Sequence, residues 1–146
     1  MNFLKGLILL FFLSIGHAAS ALPLEGTYTS PDGYYTLTIT SSNPWDGTIV
    51  GSYMSAVSPI GPYVETGTIG QFAWVNNSAG QSGGAPFSIS FEGKRRPNDW
   101  SYHFREAWNG VYRVDNTILA SGTRTYVNSS GLILVVNLGS MVFTRR

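Results

Sequence analysis

Glu106 is the residue whose type and position most directly suggest chemistry. It lies in a segment with period-two alternation, in which one face is aromatic and the other is polar. The residues that share its face are Trp100, Tyr102, Phe104, Trp108 and Tyr112. Because burial penalises a charged carboxylate, an inward Glu106 must find a partner or take up a proton. It could therefore recognise a donor or a cationic group on a ligand. Alternatively, it could form an internal salt bridge with Arg113 or Arg124, or lie at a strand end open to water.

The sequence contains none of the usual catalytic motifs. The chain has two histidines, His17 and His103, and no cysteine. No nucleophile elbow, paired-histidine metal motif or phosphate-binding glycine loop occurs, and thiolate zinc sites are excluded. The Gly-Gln-Ser-Gly-Gly segment at 80–84 has no carboxylate–histidine pair to support a nucleophile. We therefore predict a protein that is not an enzyme and that requires no cofactor and no metal.

The start of the chain is typical of a secretory signal peptide. A short basic segment precedes an apolar run at 7–15, and small residues allow cleavage after Ala19 or Ala21. The run is too short to cross a bilayer as a helix, which requires ~20 residues. A buried N-terminal helix is the alternative interpretation. We expect 1–21 to be removed and 22–146 to form one secreted domain, or a periplasmic one in a bacterium.

Charge and cysteine content narrow the range of partners. Without Lys5, the nine basic residues of the chain become eight, which equals the number of acidic residues. A net charge near zero gives no general attraction to nucleic acid or to an anionic membrane. Without disulfides, the domain must be stabilised by its core or by assembly with copies of itself. Asn76 and Asn128 begin Asn-x-Ser sequons, which matter only if the source glycosylates.

Short alternating segments separated by turn residues predict an all-β fold. The predicted strands cover 26–30, 34–40, 48–57, 63–69, 87–91, 100–112, 119–127 and 132–144. A loop rich in glycine and serine lies at 76–85. Eight short consecutive strands favour a closed antiparallel up-and-down β-barrel, which leaves no exposed edge. The many aromatic residues would either fill the lumen or line a cavity for a small molecule, and the sequence supports both alternatives.

Five short motifs, in order along 25–146, resemble those of the avidin and streptavidin family. The motifs are Gly26-Thr-Tyr28, Gly51-Ser-Tyr-Met-Ser-Ala-Val57, Tyr63-Val-Glu-Thr-Gly67, Trp108-Asn-Gly-Val-Tyr112 and Phe143-Thr-Arg145. The second of these is similar to the family's Gly-x-Tyr-x-Ser-Ala-Val segment. The resemblance implies an avidin-like eight-stranded barrel that binds biotin at one mouth, usually as a homotetramer.

The resemblance also implies a set of ligand-binding residues. With Glu106 included for the reason given above, the predicted set is Ser30, Tyr34, Tyr53, Ser55, Val57, Phe91, Glu106, Trp108, Thr125, Val127 and Met141. Tyr53 and Ser55 keep the family types and would offer hydroxyls to a ureido-like oxygen, while Trp108 keeps its place as a lumen wall. Ser30 stands where the family usually has Asn, and Tyr34 stands where it has a small Ser, so that the added bulk is expected to enter the pocket.

Other positions depart from the family pattern. Phe91 and Thr125 replace wall tryptophans, Met141 replaces the aspartate that accepts a ureido N–H, and Glu106 stands where the family has a small Thr. The turn at 128–131 is shorter than the family's turn, which carries a tryptophan that caps the neighbouring subunit's site. Each lost contact costs ~1–3 kcal/mol, so biotin affinity is expected to be reduced.

Two functions remain as expectations from the sequence. The first is a secreted ligand-binding protein for a small molecule, either biotin or an analogue. The second is a structural, self-associating barrel with a degenerate pocket. The last predicted strand favours assembly as a dimer or a tetramer, because it is apolar on both faces. Leu132, Leu134, Val136 and Leu138 lie opposite Ile133 and Val135 in that segment.

Overall fold

A computed structural model describes 24–43, 45–73, 87–96, 103–113 and 115–146. Several sequence predictions lie outside these residues. They are the signal peptide at 1–21, the loop at 76–85 with the Asn76 sequon, and the start of the sixth predicted strand with Trp100 and Tyr102. The described part of the chain contains no helix that could span a membrane.

In the part of the chain that the structure describes, eight antiparallel strands follow one another around a closed barrel. The strands are β1 (Gly26–Thr29), β2 (Tyr35–Ser42), β3 (Thr48–Ser55), β4 (Tyr63–Ala73), β5 (Phe87–Arg95), β6 (Phe104–Tyr112), β7 (Thr117–Val127) and β8 (Ile133–Arg145). Pairing of Tyr28 with Arg145 and of Thr29 with Thr144 joins the first strand to the last. The predicted fold class, a closed up-and-down β-barrel, is therefore confirmed.

Strand β4 extends beyond its predicted end. The sequence prediction ends β4 at Ile69, the residue before Gly70. In the structure, Gly70 pairs with Phe91, and a Cβ built on Gly70 would lie 2.1 Å from the carbonyl oxygen of Ser90. Glycine therefore permits a close approach of β4 and β5 here, and backbone pairing continues to Ala73.

Alternate side chains from the strands fill the barrel, as the period of two requires. The largest fully buried side chains are Trp108, Tyr28, Tyr53, Phe91, Phe104, Phe143, Leu37, Ile49, Ile69, Ile89, Ile118 and Glu106. Trp108 stacks on Phe91 with ring centroids 6.1 Å apart. Tyr35 and Phe143 meet its ring edge-to-face, with centroid distances of 5.0 and 5.1 Å. Aromatic packing therefore fills the part of the lumen around Trp108.

Gly122 on β7 makes room for the Trp108 ring. A Cβ built on Gly122 would lie 2.6 Å from an atom of that ring. Just beyond Gly122, the pairing of β7 with β8 shifts by one residue, and Gly139 adopts a positive φ of 82°. This β-bulge preserves the side-chain alternation of β7, which places Gly122 and Arg124 on the lumen side of the wall.

Candidate functional site

The topology brings several polar residues to one mouth of the barrel. In an up-and-down barrel the β1–β2, β3–β4, β5–β6 and β7–β8 connections all lie at the same end. Ser55 is the last residue of β3 and Tyr63 is the first residue of β4, and the two are paired across the sheet. Glu106 lies close to the start of β6, so it belongs to the same end of the lumen.

The Glu106 carboxylate is fully buried and accepts hydrogen bonds on both oxygens. The hydroxyls of Tyr53 and Tyr63 donate to Oε2 at 2.8 and 2.9 Å. Ser55 Oγ donates to Oε1 at 3.3 Å, and Arg124 Nε donates to the same oxygen at 2.8 Å. The whole side chain of Glu106 has no exposed surface. A carboxylate in such a position is stable only because donors replace the water that it has lost.

Arg124 provides the charge that balances Glu106. It lies directly across from Glu106 in the pairing of β6 with β7, and its side chain is only 13% exposed. Its Nη2 also donates to the carbonyl oxygen of Val57 at 2.5 Å, which ties the β3–β4 connection to the lumen. The internal salt bridge was one of the three alternatives left open by the sequence, and Arg124 is the partner. Arg113 instead pairs with Asp115 at the surface, 3.5 Å away.

Trp108 extends the polar cluster into the aromatic core. Its Nε1 donates to the hydroxyl oxygen of Tyr53 at 2.9 Å, so this hydroxyl accepts one hydrogen bond and donates another to Glu106. Burial raises the pKa of Tyr53 and of Tyr63, and the negative charge of Glu106 raises both further. Both phenols therefore remain protonated, and act as donors, over the physiological pH range.

Gly93 on β5 leaves the space that the two tyrosines occupy. A Cβ built on Gly93 would lie 2.5 Å from Cδ1 of Tyr53 and 2.6 Å from the hydroxyl oxygen of Tyr63. Because both rings are packed on neighbouring side chains, a larger residue would displace them. Tyr53 lies 5.9 Å from Phe91 and Tyr63 lies 5.5 Å from Phe104, measured between ring centroids.

Three predicted site residues near the mouth lie in surroundings that differ from those implied by the resemblance. Tyr34 lies in the β1–β2 turn and is 48% exposed, so its ring does not fill the lumen as the resemblance implies. Ser30 is buried, but its hydroxyl stabilises that same turn: it donates to Asp32 Oδ1 at 2.6 Å and accepts from the Tyr35 amide at 3.0 Å. The side chain of Val57 is partly exposed, and its carbonyl oxygen is the group that Arg124 contacts.

The structure corrects the predicted positions of Thr125 and Val127. Thr125 pairs with the exposed Arg105 on β6 and with Val135 on β8, whose side chain is 69% exposed. The alternation of β7 therefore places odd-numbered residues on the outer wall and even-numbered residues, such as Arg124, in the lumen. The motif alignment gives the wrong parity for this strand, and the two residues do not line the lumen.

The remaining predicted residues lie inside the barrel. Met141 pairs with the buried Ala120 and packs against the core, and Phe91 is buried against Trp108. Tyr63 is the member of the polar cluster to which the sequence analysis gave no role. It has the same parity as Ile69 on β4, which is an inward position, and this signal is present in the sequence.

The fold and the site define a closed eight-stranded up-and-down barrel with a buried cluster of hydrogen-bonding groups near one mouth. The chain matches no protein-family model, no curated protein and no solved structure in the comparisons made. Within the described segments, no group of three or more His, Cys, Asp and Glu side chains is placed to hold a metal ion. Function must therefore be argued from the geometry of the cluster.

Proposed function

We propose that this protein binds a small molecule at the mouth of its barrel, either biotin or a biotin-like compound with an oxygen acceptor at its inner end. One observation carries the proposal: the hydroxyls of Tyr53 and Ser55, from one strand, converge with that of Tyr63 on a single buried acceptor. Preorganised donors in a dry, aromatic surrounding are the usual means by which proteins recognise a small polar group.

Aromatic side chains provide the walls of the proposed site. Trp108 and Phe91 are stacked below the tyrosine hydroxyls, and Tyr35 and Phe104 border the cluster. Such rings contribute apolar contact to a ligand, while a few hydroxyls fix its orientation.

Glu106 limits the affinity of the proposed site. Its carboxylate already accepts the hydrogen bonds that a ligand oxygen would receive, so binding requires Glu106 to move. Met141 adds no hydrogen-bond acceptor of useful strength for a ureido N–H. Each exchanged or missing hydrogen bond costs ~1–3 kcal/mol, which lowers affinity by one or more decades. Weak to moderate binding is therefore expected.

The substitution Tyr53→Phe tests this proposal. It removes one donor to the ligand and leaves Trp108 Nε1 without its partner, so biotin affinity is expected to fall about tenfold. Calorimetric titration of the purified 22–146 domain measures this change, and retention on immobilised biotin provides a rapid screen. Thr125→Val on the outer wall is the matched control and should leave the affinity unchanged. Absence of binding by the folded native domain, or equal affinities for Tyr53→Phe and the control, would contradict the proposal.

A self-associating structural barrel is the second candidate. It is favoured by apolar side chains on the outer wall of β7 and β8, where Leu119, Ile133 and Val135 are 40%, 74% and 69% exposed. Large exposed apolar side chains on a barrel wall favour contact with another subunit. The two candidates are compatible, since one uses the lumen and the other uses the outside of the wall.

Substitution of Val135 by lysine tests the second candidate. A charge at the centre of an apolar contact is expected to convert an oligomer of the native domain into a monomer, because the charge would have to be desolvated. Light scattering coupled to size exclusion measures the mass, and Thr68→Lys on the exposed face of β4 is the control. A native domain that is monomeric at all concentrations would remove this candidate.

A further inference from the structure

The donors around Glu106 match the acceptor capacity of one carboxylate. An ionised carboxylate has about four lone-pair sites on its two oxygens. Here two phenol hydroxyls serve Oε2, whereas a serine hydroxyl and the Nε of the Arg124 guanidinium serve Oε1, with Nη2 of the same guanidinium 2.5 Å from that oxygen. The donors belong to β3, β4 and β7, while the acceptor belongs to β6. The geometry is that of a carboxylate-binding site in which the bound carboxylate is a side chain of the same protein.

Two of the donors, Tyr53 and Arg124, are also held in place by contacts that do not involve Glu106. Trp108 Nε1 donates to the Tyr53 hydroxyl, and the Val57 carbonyl holds Arg124 Nη2. The Arg124 guanidinium also lies 5.7 Å from the centroid of the Phe104 ring, a cation–π distance. Removal of the carboxylate would therefore leave oriented hydroxyls and an unbalanced positive charge around a small cavity.

We propose that Tyr53, Ser55, Tyr63 and Arg124 form a carboxylate-binding site, in which the side chain of Glu106 acts as a built-in ligand. The class of molecule that fits this site once Glu106 is removed is a small monocarboxylate, such as acetate. This inference deepens the proposed function, because it identifies the group that any external ligand of the native barrel must displace. It makes Glu106 a residue that lowers affinity for acceptor ligands rather than one that recognises a ligand donor.

The variant Glu106→Ala tests the inference, with acetate as the probe. The melting temperature of this variant is expected to rise with acetate concentration and to saturate, by about 5 °C or more relative to chloride at equal ionic strength. The native domain should show no such rise, because its site is filled. The double variant Glu106→Ala with Arg124→Met should also show none, since it lacks the cation.

A second variant covers the case in which Glu106→Ala does not fold in chloride. If acetate restores the folding of Glu106→Ala, that result supports the inference directly. The second variant is Glu106→Thr, whose side chain fills part of the cavity, so its melting temperature should rise less with acetate. A folded variant at position 106 that melts at the same temperature in acetate and chloride overturns the inference, as does failure of both variants to fold in either salt. If the native domain binds biotin but acetate does not stabilise the variants at position 106, this inference alone is overturned. An acetate effect without biotin binding would overturn the proposed function alone.

Discussion

Replacement of Arg124 by alanine is expected to lower the free energy of unfolding by about 3–5 kcal/mol, because it leaves the Glu106 carboxylate buried without a counter-charge. Arg124 contributes both the Nε hydrogen bond to Glu106 and the contact with the Val57 carbonyl. Its side chain is 13% exposed and that of Glu106 is not exposed, so water cannot replace the lost donors. Little solvent screening applies to a pair in this position.

Urea denaturation of the purified protein measures the change. Arg113→Ala is the matched control, because Arg113 forms an exposed ion pair with Asp115 and such pairs contribute ~0–1 kcal/mol. The double variant Glu106→Leu with Arg124→Met removes both charges and is expected to recover most of the loss. If Arg124→Ala and Arg113→Ala lowered the free energy of unfolding equally, the Glu106 carboxylate would not be buried against Arg124.

Replacement of Trp108 by alanine is expected to destabilise the barrel by about 3–5 kcal/mol as well. The ring is fully buried and contacts three aromatic neighbours, Phe91, Tyr35 and Phe143. Its loss creates a cavity and also removes the N–H donor to the Tyr53 hydroxyl. The two losses act together, since that hydroxyl in turn supports Glu106.

Trp45 provides the control for this change. It lies in the β2–β3 turn with 94% of its surface exposed, so Trp45→Ala should alter stability by no more than ~0.5 kcal/mol. Trp108→Phe, which keeps a ring but no donor, should be intermediate. Denaturation curves of the three variants distinguish these outcomes. A small effect of Trp108→Ala would mean that the lumen around this ring is not packed as described.

Residue alternation was sufficient to predict the fold, because each strand buries one face and turn residues separate the strands. Alternation also placed Trp108 on the aromatic face of its strand, while the resemblance implied Tyr53 and Ser55 as pocket residues. All three are buried in the lumen. The prediction was weakest where alternation is weak. In β7, Leu119 is exposed while the smaller Ala120 is buried, so hydrophobicity does not reveal that the motif alignment gives Thr125 the wrong parity.

The partner of Glu106 could not be chosen from the sequence. Arg113 lies closer to Glu106 along the chain, but only the register of β6 with β7 places Arg124 directly across from it. Register depends on the length of the β6–β7 turn, which alternation does not specify. Recognition of Tyr63 as a donor likewise depends on its pairing with Ser55 at the mouth.

A crystal structure of the protein is the most direct test of a barrel whose polar centre is Glu106. We expect Oε2 to lie about 2.8 Å from the Tyr53 hydroxyl and about 2.9 Å from the Tyr63 hydroxyl, with Arg124 on the other oxygen. Electron density that showed the Glu106 side chain directed to solvent, or Tyr53 and Trp108 on the outside of the wall, would contradict both the proposed site and its built-in carboxylate.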